Sequence, residues 1–151
     1  MKTNRRSTFK KFALGIAGLL GFSVAKAASA DSEKVVTGEI YQDGQTPLFS
    51  SSVKHGGLVY VAGKGAHFDG DITAHTRHVL DEIEKELKKA GSSMEKVLKV
   101  NVYLHDLADY KAMNEAYRGR FGKNPPVRTT VAVYGGVPGD SLVEMDCIAY
   151  V

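Results

Sequence analysis

The chain has 151 residues, which suits one domain with a hydrophobic core and is too short for two comfortable ones. Its formal net charge of +3 resides in the first thirty residues, which hold six Lys and Arg and no acid; residues 31–151 hold 14 basic and 17 acidic residues, a net charge near −3. This balance argues against nucleic acid or an anionic membrane as the partner of residues 31–151, and the single cysteine excludes an intramolecular disulfide.

Residues 1–30 have the three parts of a secretory signal peptide: basic "MKTNRRSTFKKF", apolar "ALGIAGLLGFSVA" and the small residues of "KAASA". The apolar part is too short to cross a hydrocarbon core of about 30 Å as a helix, although a retained N-terminal anchor remains the alternative. Arg5-Arg6 indicates the twin-arginine route, with the usual phenylalanine one residue late. We therefore expect an exported bacterial protein, periplasmic or secreted, whose mature domain is residues 31–151 and has no stable membrane association.

The first part of that domain has the pattern of strands and turns. "VVTGEIY" predicts one strand, and "PLFSSSVKHGGLVYVAG" predicts two strands joined at His55-Gly56-Gly57, because Gly-Gly supplies the positive φ values of a hairpin turn. A helix then follows, with Asp71 or Thr73 as its N-cap and Gly91 at its end. The stripe that predicts its buried face is Ile72, Val79, Leu80, Ile83, Leu87 and Ala90.

The second part adds a strand in "VLKVNVYLHDL", a helix in "LADYKAMNEAYRGRF" ended by Gly122, and strands over 127–135 and 142–150. The strand is expected to bury Leu98, Val100, Val102 and Leu104, and the helix to bury Leu107, Tyr110, Met113 and Tyr117. The order β-β-β-α-β-α-β-β indicates an α+β fold with two helices on one face of a mixed β-sheet. The uncovered sheet face would expose apolar side chains, so we expect a homo-oligomer that packs sheets face to face.

Two charged residues stand out in the last strands. Arg128 comes two residues after "NPP", at the start of an apolar strand. Its planar guanidinium can bind a carboxylate or phosphate through two hydrogen bonds. An ordinary salt bridge or a surface arginine is the alternative. Glu144 shares a strand face with Asp146. If strands 127–135 and 142–150 pair antiparallel, Arg128 and Glu144 come toward one end of the ladder. They would then form either a plain ion pair or a site where arginine holds a carboxylate and glutamate handles a water or proton.

Other residues carry weaker signals. His75 and His78 have a spacing that can bind metal, but no third ligand follows with a suitable spacing, so no metal site is predicted. Cys147 lies in a strand-like run with no activating base nearby, which favours a buried thiol over a nucleophile. Asn101 is interpreted as a satisfied core amide.

The string from "VLKVNVYLHDL" to "VEMDCIAYV" resembles the RidA/YjgF family of enamine/imine deaminases. The residues that fit the family signature in order are Asn114, Tyr117, Phe121, Pro126, Arg128, Thr129, Glu144, Ile148 and Ala149. The resemblance implies a chorismate-mutase-like fold, a homotrimer with sites in clefts between subunits, and no metal or organic cofactor. It implies hydrolysis of 2-enamino or 2-imino acids to 2-keto acids and ammonia, as in 2-iminobutanoate/2-iminopropanoate deaminases. Arg128 then grips the substrate carboxylate and Glu144 positions the water.

The sequence departs from the family pattern at several contact positions. Thr130 replaces a frequent cysteine, Phe49 replaces a tyrosine, and Ala62-Gly63-Lys64 replaces "SGQ". Thr130, Phe49, Lys64 and Asn114 are carried as substrate-binding candidates, with Lys64 as a second positive contact for an anion. A non-catalytic protein that binds small carboxylates such as 2-keto acids is the alternative function. Ribonuclease or chaperone-like activity is a third, and the acidic charge of residues 31–151 argues against RNA.

Overall fold

A computed structural model of the chain describes residues 33–151, so the predicted signal peptide lies outside the described residues. No helix within this range is long and apolar enough to cross a bilayer. The elements in chain order are β1 (Val35–Val36), β2 (Ile40–Asp43), β3 (Thr46–Ser50), β4 (Ser52–His55), β5 (Leu58–Lys64), α1 (Ile72–Lys89), β6 (Val97–Leu104), α2 (Tyr110–Tyr117), β7 (Val127–Ala132) and β8 (Val143–Tyr150).

The main sheet has six strands in the order β1-β4-β5-β8-β6-β7, and β2 and β3 form a separate antiparallel pair. The sheet is mixed, since β6 and β7 run parallel while the other neighbours run antiparallel. Both helices pack on one face and bury alternate residues of the central strands, which confirms the predicted α+β class. The predicted hairpin between β4 and β5 is also confirmed, with positive φ at Gly56 and Gly57.

Helix α1 has the predicted bounds because its two ends are capped. The carboxylate of Asp71 accepts a hydrogen bond from the amide of Ala74 at 2.7 Å, and Gly91 follows the helix with a φ of +81°. The apolar stripe is buried as predicted, and the same face also buries His75, Thr76 and Glu86. His75 and Glu86 have hydrogen-bond partners inside the domain, whereas the hydroxyl of Thr76 has none among the described residues.

The N-terminal strands differ from the prediction, because the chain crosses between sheets near Ser51. The predicted strand "VVTGEIY" is divided into β1 and β2, and the following predicted strand is divided into β3 and β4. Ser51 is the crossing point: its amide donates to the carbonyl of Glu39 at 2.8 Å, and its hydroxyl accepts from the amide of Glu39 at 2.8 Å. The hydroxyls of Ser51 and Ser52 point inward and donate to the buried Glu86. Because Glu86 is distant in sequence, the local residue pattern does not predict this crossing.

Strand β6 and helix α2 also depart from their predicted faces. A bulge in the pairing of β6 with β8 between Val97 and Lys99 turns Leu98 outward, so that Leu98 is 46% exposed and Val97 is buried instead. The predicted burial of Leu107 is wrong, because it lies in a short 3₁₀ turn capped by Asp106 and is exposed. Tyr110 is 44% exposed.

Strands β7 and β8 do not pair, which corrects the predicted antiparallel hairpin. Helix α2 is a crossover connection that makes β7 parallel to β6, and β8 then returns on the other side of β6. Strand β7 ends at Ala132, before Gly135 and Gly136 adopt positive φ. Arg128 and Glu144 are consequently separated by strand β6.

Candidate active site

Arg128 lies on the helix-covered face of the sheet, on the same rung as buried Val100. Its guanidinium carbon is 4.7 Å from the ring centroid of Tyr117 and 5.8 Å from that of Tyr110. Its Nη2 donates to the hydroxyl of Tyr110 at 3.3 Å. No salt bridge joins Arg128 to an acid within residues 33–151. The guanidinium is half-buried, is held by two rings and forms no ion pair with an acid among the described residues. It can therefore bind an anionic ligand.

Two hydroxyls near Arg128 have no hydrogen-bond partner among the described residues. Thr130 follows Arg128 by two positions on β7 and so lies on the same face, and its Oγ1 is buried and unpartnered. The hydroxyl of Tyr117 is likewise buried and unpartnered. Burial raises the pKa of Tyr117 to about 12, although the charge of Arg128 acts in the opposite direction. Tyr117 therefore stays a neutral phenol, and Thr130 has an unpartnered hydroxyl on the strand face of Arg128.

Glu144 lies on the opposite, uncovered face of the sheet, directly across from Tyr103 on β6. Its carboxylate is packed over Gly63 of β5, where an added Cβ would come closer than 3.0 Å to Oε1 of Glu144. It lines a surface cleft of ≈ 300 Å³ together with Tyr103, Val133, Gly136, Val137, Pro138 and Asp146. The glycine thus makes room for a carboxylate that faces an open cleft.

A hydrogen-bonded network adjoins Glu144 in this cleft. The hydroxyl of Tyr103 donates to Oδ2 of Asp146 at 3.0 Å, and Nδ2 of Asn101 donates to Oδ1 of Asp146 at 2.9 Å. Burial raises the pKa of Tyr103, and the hydrogen bond to Asp146 adds to the increase. Asn101 is satisfied as the sequence predicted, but it lies half-buried on the uncovered face and not in the core.

Arg128 and Glu144 cannot hold one small ligand within a single protomer. Arg128 shares its rung with Val100, whereas Glu144 shares its rung with Tyr103, so the two differ by three residues along β6, roughly 10 Å. They also project from opposite faces. The alternative of a plain cross-strand ion pair between them is therefore wrong.

The remaining candidates fall in different places. Phe49 stacks on Tyr41 with ring centroids 4.7 Å apart, and these rings line a cleft of ≈ 310 Å³ that also includes Gly63 and Lys64. Lys64 is bonded internally: its Nζ lies 3.7 Å from Oε1 of Glu86, and its side chain is 13% exposed. Asn114 lines a groove of ≈ 390 Å³ with Tyr117 of α2. The cleft of Phe49 adjoins Glu144 through Gly63, whereas the side chain of Lys64 extends to Glu86 of α1. Asn114 and Thr130 lie near the Arg128 side.

The histidine pair on α1 has a structural role at His75. The amide of Leu142 donates to Nδ1 of His75 at 3.1 Å, so Nε2 carries the proton and donates to the carbonyl of Phe68 at 2.8 Å. With both nitrogens bonded, His75 has no lone pair for a metal. Within residues 33–151, no three His, Cys, Asp or Glu side chains are grouped as metal ligands. Cys147 is 2% exposed and burial raises its pKa to about 12, which keeps it a thiol.

Comparison with known proteins identifies the family. Residues 42–151 match the family model described as endoribonuclease L-PSP. The chain belongs to this family. It is the RidA/YjgF family that the C-terminal half of the sequence resembles. A crystal structure of Rv2704 from Mycobacterium tuberculosis, described as a member of the YjgF/YER057c/UK114 family, is 35% identical with a TM-score of 0.63, over 68% of this chain and 86% of that one.

Two curated relatives of this RidA/YjgF chain are named as deaminases. The 3-aminoacrylate deaminase RutC of Acinetobacter baylyi is 42% identical over 82 residues, 54% of this chain and 64% of that protein. The chloroplastic reactive intermediate deaminase A of Arabidopsis thaliana is 30% identical over 134 residues, 84% of this chain and 71% of that protein. The family and the fold are thereby established.

Three features of the candidate site in this RidA/YjgF member are not evident from the sequence. Tyr117 is buried as predicted, but its ring also packs on Arg128, and the ring of Tyr110 does so from an exposed position that contradicts its predicted burial. The sequence pattern gives no role to Gly63 beyond a replaced motif and none to Tyr103. Residues at the spacing of Tyr110 and Tyr117 lie on one helix face, which could have suggested an aromatic support for a cation. The contacts of Gly63 and Tyr103 with the Glu144 cleft depend on strand register and have no local signal.

Proposed function

We propose that the chain is a hydrolytic deaminase of small 2-imino and 2-enamino acids. Arg128 binds the substrate carboxylate, and Glu144 positions the attacking water. The observation that carries this proposal is the guanidinium of Arg128, held by two tyrosine rings and without an acid partner among the described residues. The names of the two deaminase relatives support the reaction class.

The proposed site is shared between two copies of the chain. Arg128 and Glu144 lie on opposite faces of the sheet and three residues apart along β6. A single protomer therefore does not bring them to the same ligand. Arg128 of one copy would meet Glu144 of another in the cleft between them, in the homotrimer that the family resemblance implies. Exposed apolar residues on the edge strand and uncovered face, such as Val127, Val131 and Tyr150, support the association.

The reaction needs orientation more than activation, because a protonated imine is already electrophilic. The iminium carboxylate and one water give the 2-keto acid and ammonium. The water oxygen bonds to the imine carbon while Glu144 takes a proton from it; both water protons end on the nitrogen, and the carbon–nitrogen bond breaks. No cofactor is proposed, since one water and the two side chains account for every bond that forms and breaks in this step.

A non-catalytic protein that binds small carboxylates is the second candidate. Arg128 and Thr130 form their side of the site without Glu144. In addition, Phe49 lacks the phenol hydroxyl of the family tyrosine, and Lys64 forms an ion pair with Glu86. Carboxylate affinity that depends on Arg128, without any turnover, would favour this candidate.

The deciding experiment generates 2-iminopropionate with an amino-acid oxidase and traps the remaining imine with semicarbazide. We expect the wild-type chain to accelerate imine loss, and Arg128→Ala and Glu144→Gln to reduce the acceleration by about 10²-fold or more. Arg77→Ala and Glu115→Gln are the matched controls, because both residues are exposed, and they should keep wild-type rates. Absence of acceleration with alanine- and leucine-derived imines would reject the deaminase, and activity without Arg128 would reject the assigned pocket.

We also propose that the protein is exported with residues 1–30 removed. The order of basic, apolar and small residues supports this. Mass spectrometry of the protein from the periplasmic fraction should give a chain that begins at Asp31. Recovery of the uncleaved chain in the cytoplasm would contradict the proposal.

A further inference from the structure

Tyr103 is the phenol that lies beside Glu144. The two residues are direct cross-strand partners on the uncovered sheet face and line the same cleft. The proton of the Tyr103 hydroxyl is directed to Oδ2 of Asp146, whose other oxygen accepts from Asn101. Because that proton is engaged, the lone pairs of the phenol oxygen remain for a donor in the cleft.

The polar side chains that line the cleft present hydrogen-bond acceptors, and their one donor, the Tyr103 hydroxyl, is engaged. They are the carboxylates of Glu144 and Asp146 and the phenol of Tyr103, and the other lining residues are Val133, Gly136, Val137 and Pro138. Such a lining favours an N–H donor with a positive charge and disfavours a keto oxygen, which would meet three acceptors. The 2-imino acid and its 2-keto product differ at this group.

We propose that Tyr103 is a substrate-binding residue for the nitrogen: its phenol oxygen accepts an N–H of the iminium group that Glu144 hydrates. Asp146 and Asn101 are positioning residues that hold the phenol proton away from the substrate. This inference rests on the proposed function of Glu144. It assigns the two ends of the substrate, with the carboxylate at Arg128 of one copy and the nitrogen at Tyr103 of another.

The assignment has a chemical consequence. An acceptor at the nitrogen favours the protonated imine, which water attacks more readily than the neutral form. The same contact is lost when the nitrogen leaves as ammonium and a carbonyl oxygen takes its place. Tyr103 therefore favours substrate over product at the same site.

The test compares two small ligands on the full chain by calorimetry: alanine, which carries an ammonium group, and pyruvate, which carries a keto oxygen. Tyr103→Phe should weaken alanine binding about threefold to tenfold and leave pyruvate binding unchanged. Tyr60→Phe removes a phenol from the same sheet face outside the cleft and should change neither affinity. Asp146→Asn should lower the alanine-to-pyruvate affinity ratio in the same direction.

Three results would overturn the inference. The first is an alanine-to-pyruvate affinity ratio that neither Tyr103→Phe nor Asp146→Asn changes. The others are an equal loss of affinity for both ligands in Tyr103→Phe and the absence of binding of either ligand to the wild type. A Tyr103-dependent preference for alanine in a chain that does not accelerate imine loss would reject the deaminase and keep the nitrogen site. Acceleration of imine loss that Tyr103→Phe leaves unchanged, with an unchanged ratio, would keep the deaminase and reject the nitrogen site. The two proposals can therefore fail separately.

Discussion

Two glutamates, Glu86 on α1 and Glu144 on β8, lie in opposite kinds of surroundings although each carboxylate is packed against a glycine. An added Cβ on Gly38 would come closer than 3.0 Å to Oε2 of Glu86, and one on Gly63 would come closer than 3.0 Å to Oε1 of Glu144. Glu86 is 5% exposed, whereas Glu144 is half-buried at an open cleft. Tight packing alone thus does not distinguish a structural carboxylate from a functional one.

The distinguishing feature is whether the protomer supplies the partners. Glu86 accepts from the hydroxyls of Ser51 at 3.0 Å and Ser52 at 3.2 Å, and pairs with Lys89 at 2.9 Å and Lys64 at 3.7 Å. Within residues 33–151, no hydrogen bond or ion pair reaches the carboxylate of Glu144 or brings an acid to Arg128. A charged group left unmatched by its own protomer is available for a ligand.

The largest effect should come from breaking the Glu86 cluster, which consists of Glu86, Ser51, Ser52, Lys64 and Lys89. Glu86→Ala leaves the nearly buried Lys64 without its counter-charge, and we expect a loss of roughly 3–5 kcal/mol in the free energy of unfolding. Glu84→Ala, on the same helix, removes a pair with exposed Lys88 and a longer pair with Arg120, and it should cost less than about 1 kcal/mol. Urea unfolding measures both changes. Equal losses in the two variants would show that burial does not set Glu86 apart.

Alanine at the two glycines should separate stability from activity. Gly63→Ala forces the carboxylate of Glu144 to move into the cleft, and we expect kcat to fall by about 10²-fold with little loss of stability. Gly38→Ala meets Ser51, Ser52 and Glu86 in a closed site and should cost about 1–3 kcal/mol of stability without lowering kcat of the folded protein. The comparison fails if Gly63→Ala destabilises the chain as much as Gly38→Ala does.

The Glu86 cluster also predicts that the free energy of unfolding depends on pH. Burial would raise the pKa of Glu86, but hydrogen bonds from Lys89 and Ser51 and the charge of Lys64 hold it below its ordinary value. A carboxyl group with a lowered folded-state pKa contributes stability above its unfolded pKa of about 4.5 and loses that contribution as the pH falls through the folded value.

The measurement is urea unfolding of the wild type and Glu86→Gln between pH 7 and pH 3. The stability advantage of the wild type should narrow as the pH falls below about 4.5. Glu84→Gln should show a much smaller dependence, because its ion pair with Lys88 is exposed to solvent. A constant difference between wild type and Glu86→Gln over the whole range would mean that Glu86 has the same pKa in the folded and the unfolded chain, which would contradict the prediction.

The sequence predicted those features that depend on neighbouring residues. Helix α1 has its predicted bounds, because a 3.6-residue stripe, an N-cap aspartate and a following glycine all act within a few residues. Arg128 and Glu144 are site candidates because a charge interrupts each apolar strand and because the family motif spans both; their roles stay a prediction. Features set by register were missed: a one-residue bulge reversed Leu98, and the crossover through α2 placed β6 between β7 and β8. The environment of Glu144 depends on that register.

The smallest effect tests the Arg128 side of the site. Tyr110→Phe keeps the ring and removes only the hydroxyl that accepts from Nη2 of Arg128 at 3.3 Å, a long hydrogen bond on an exposed side chain. We expect affinity for a small carboxylate such as pyruvate to fall about twofold to fivefold, with unchanged stability. Tyr134→Phe alters a fully exposed tyrosine and is the control. If Tyr110→Phe binds pyruvate as tightly as the wild type while Arg128→Ala does not, the rings alone orient the guanidinium. The support of Arg128 then differs fundamentally from that of Glu86, which depends on hydrogen bonds.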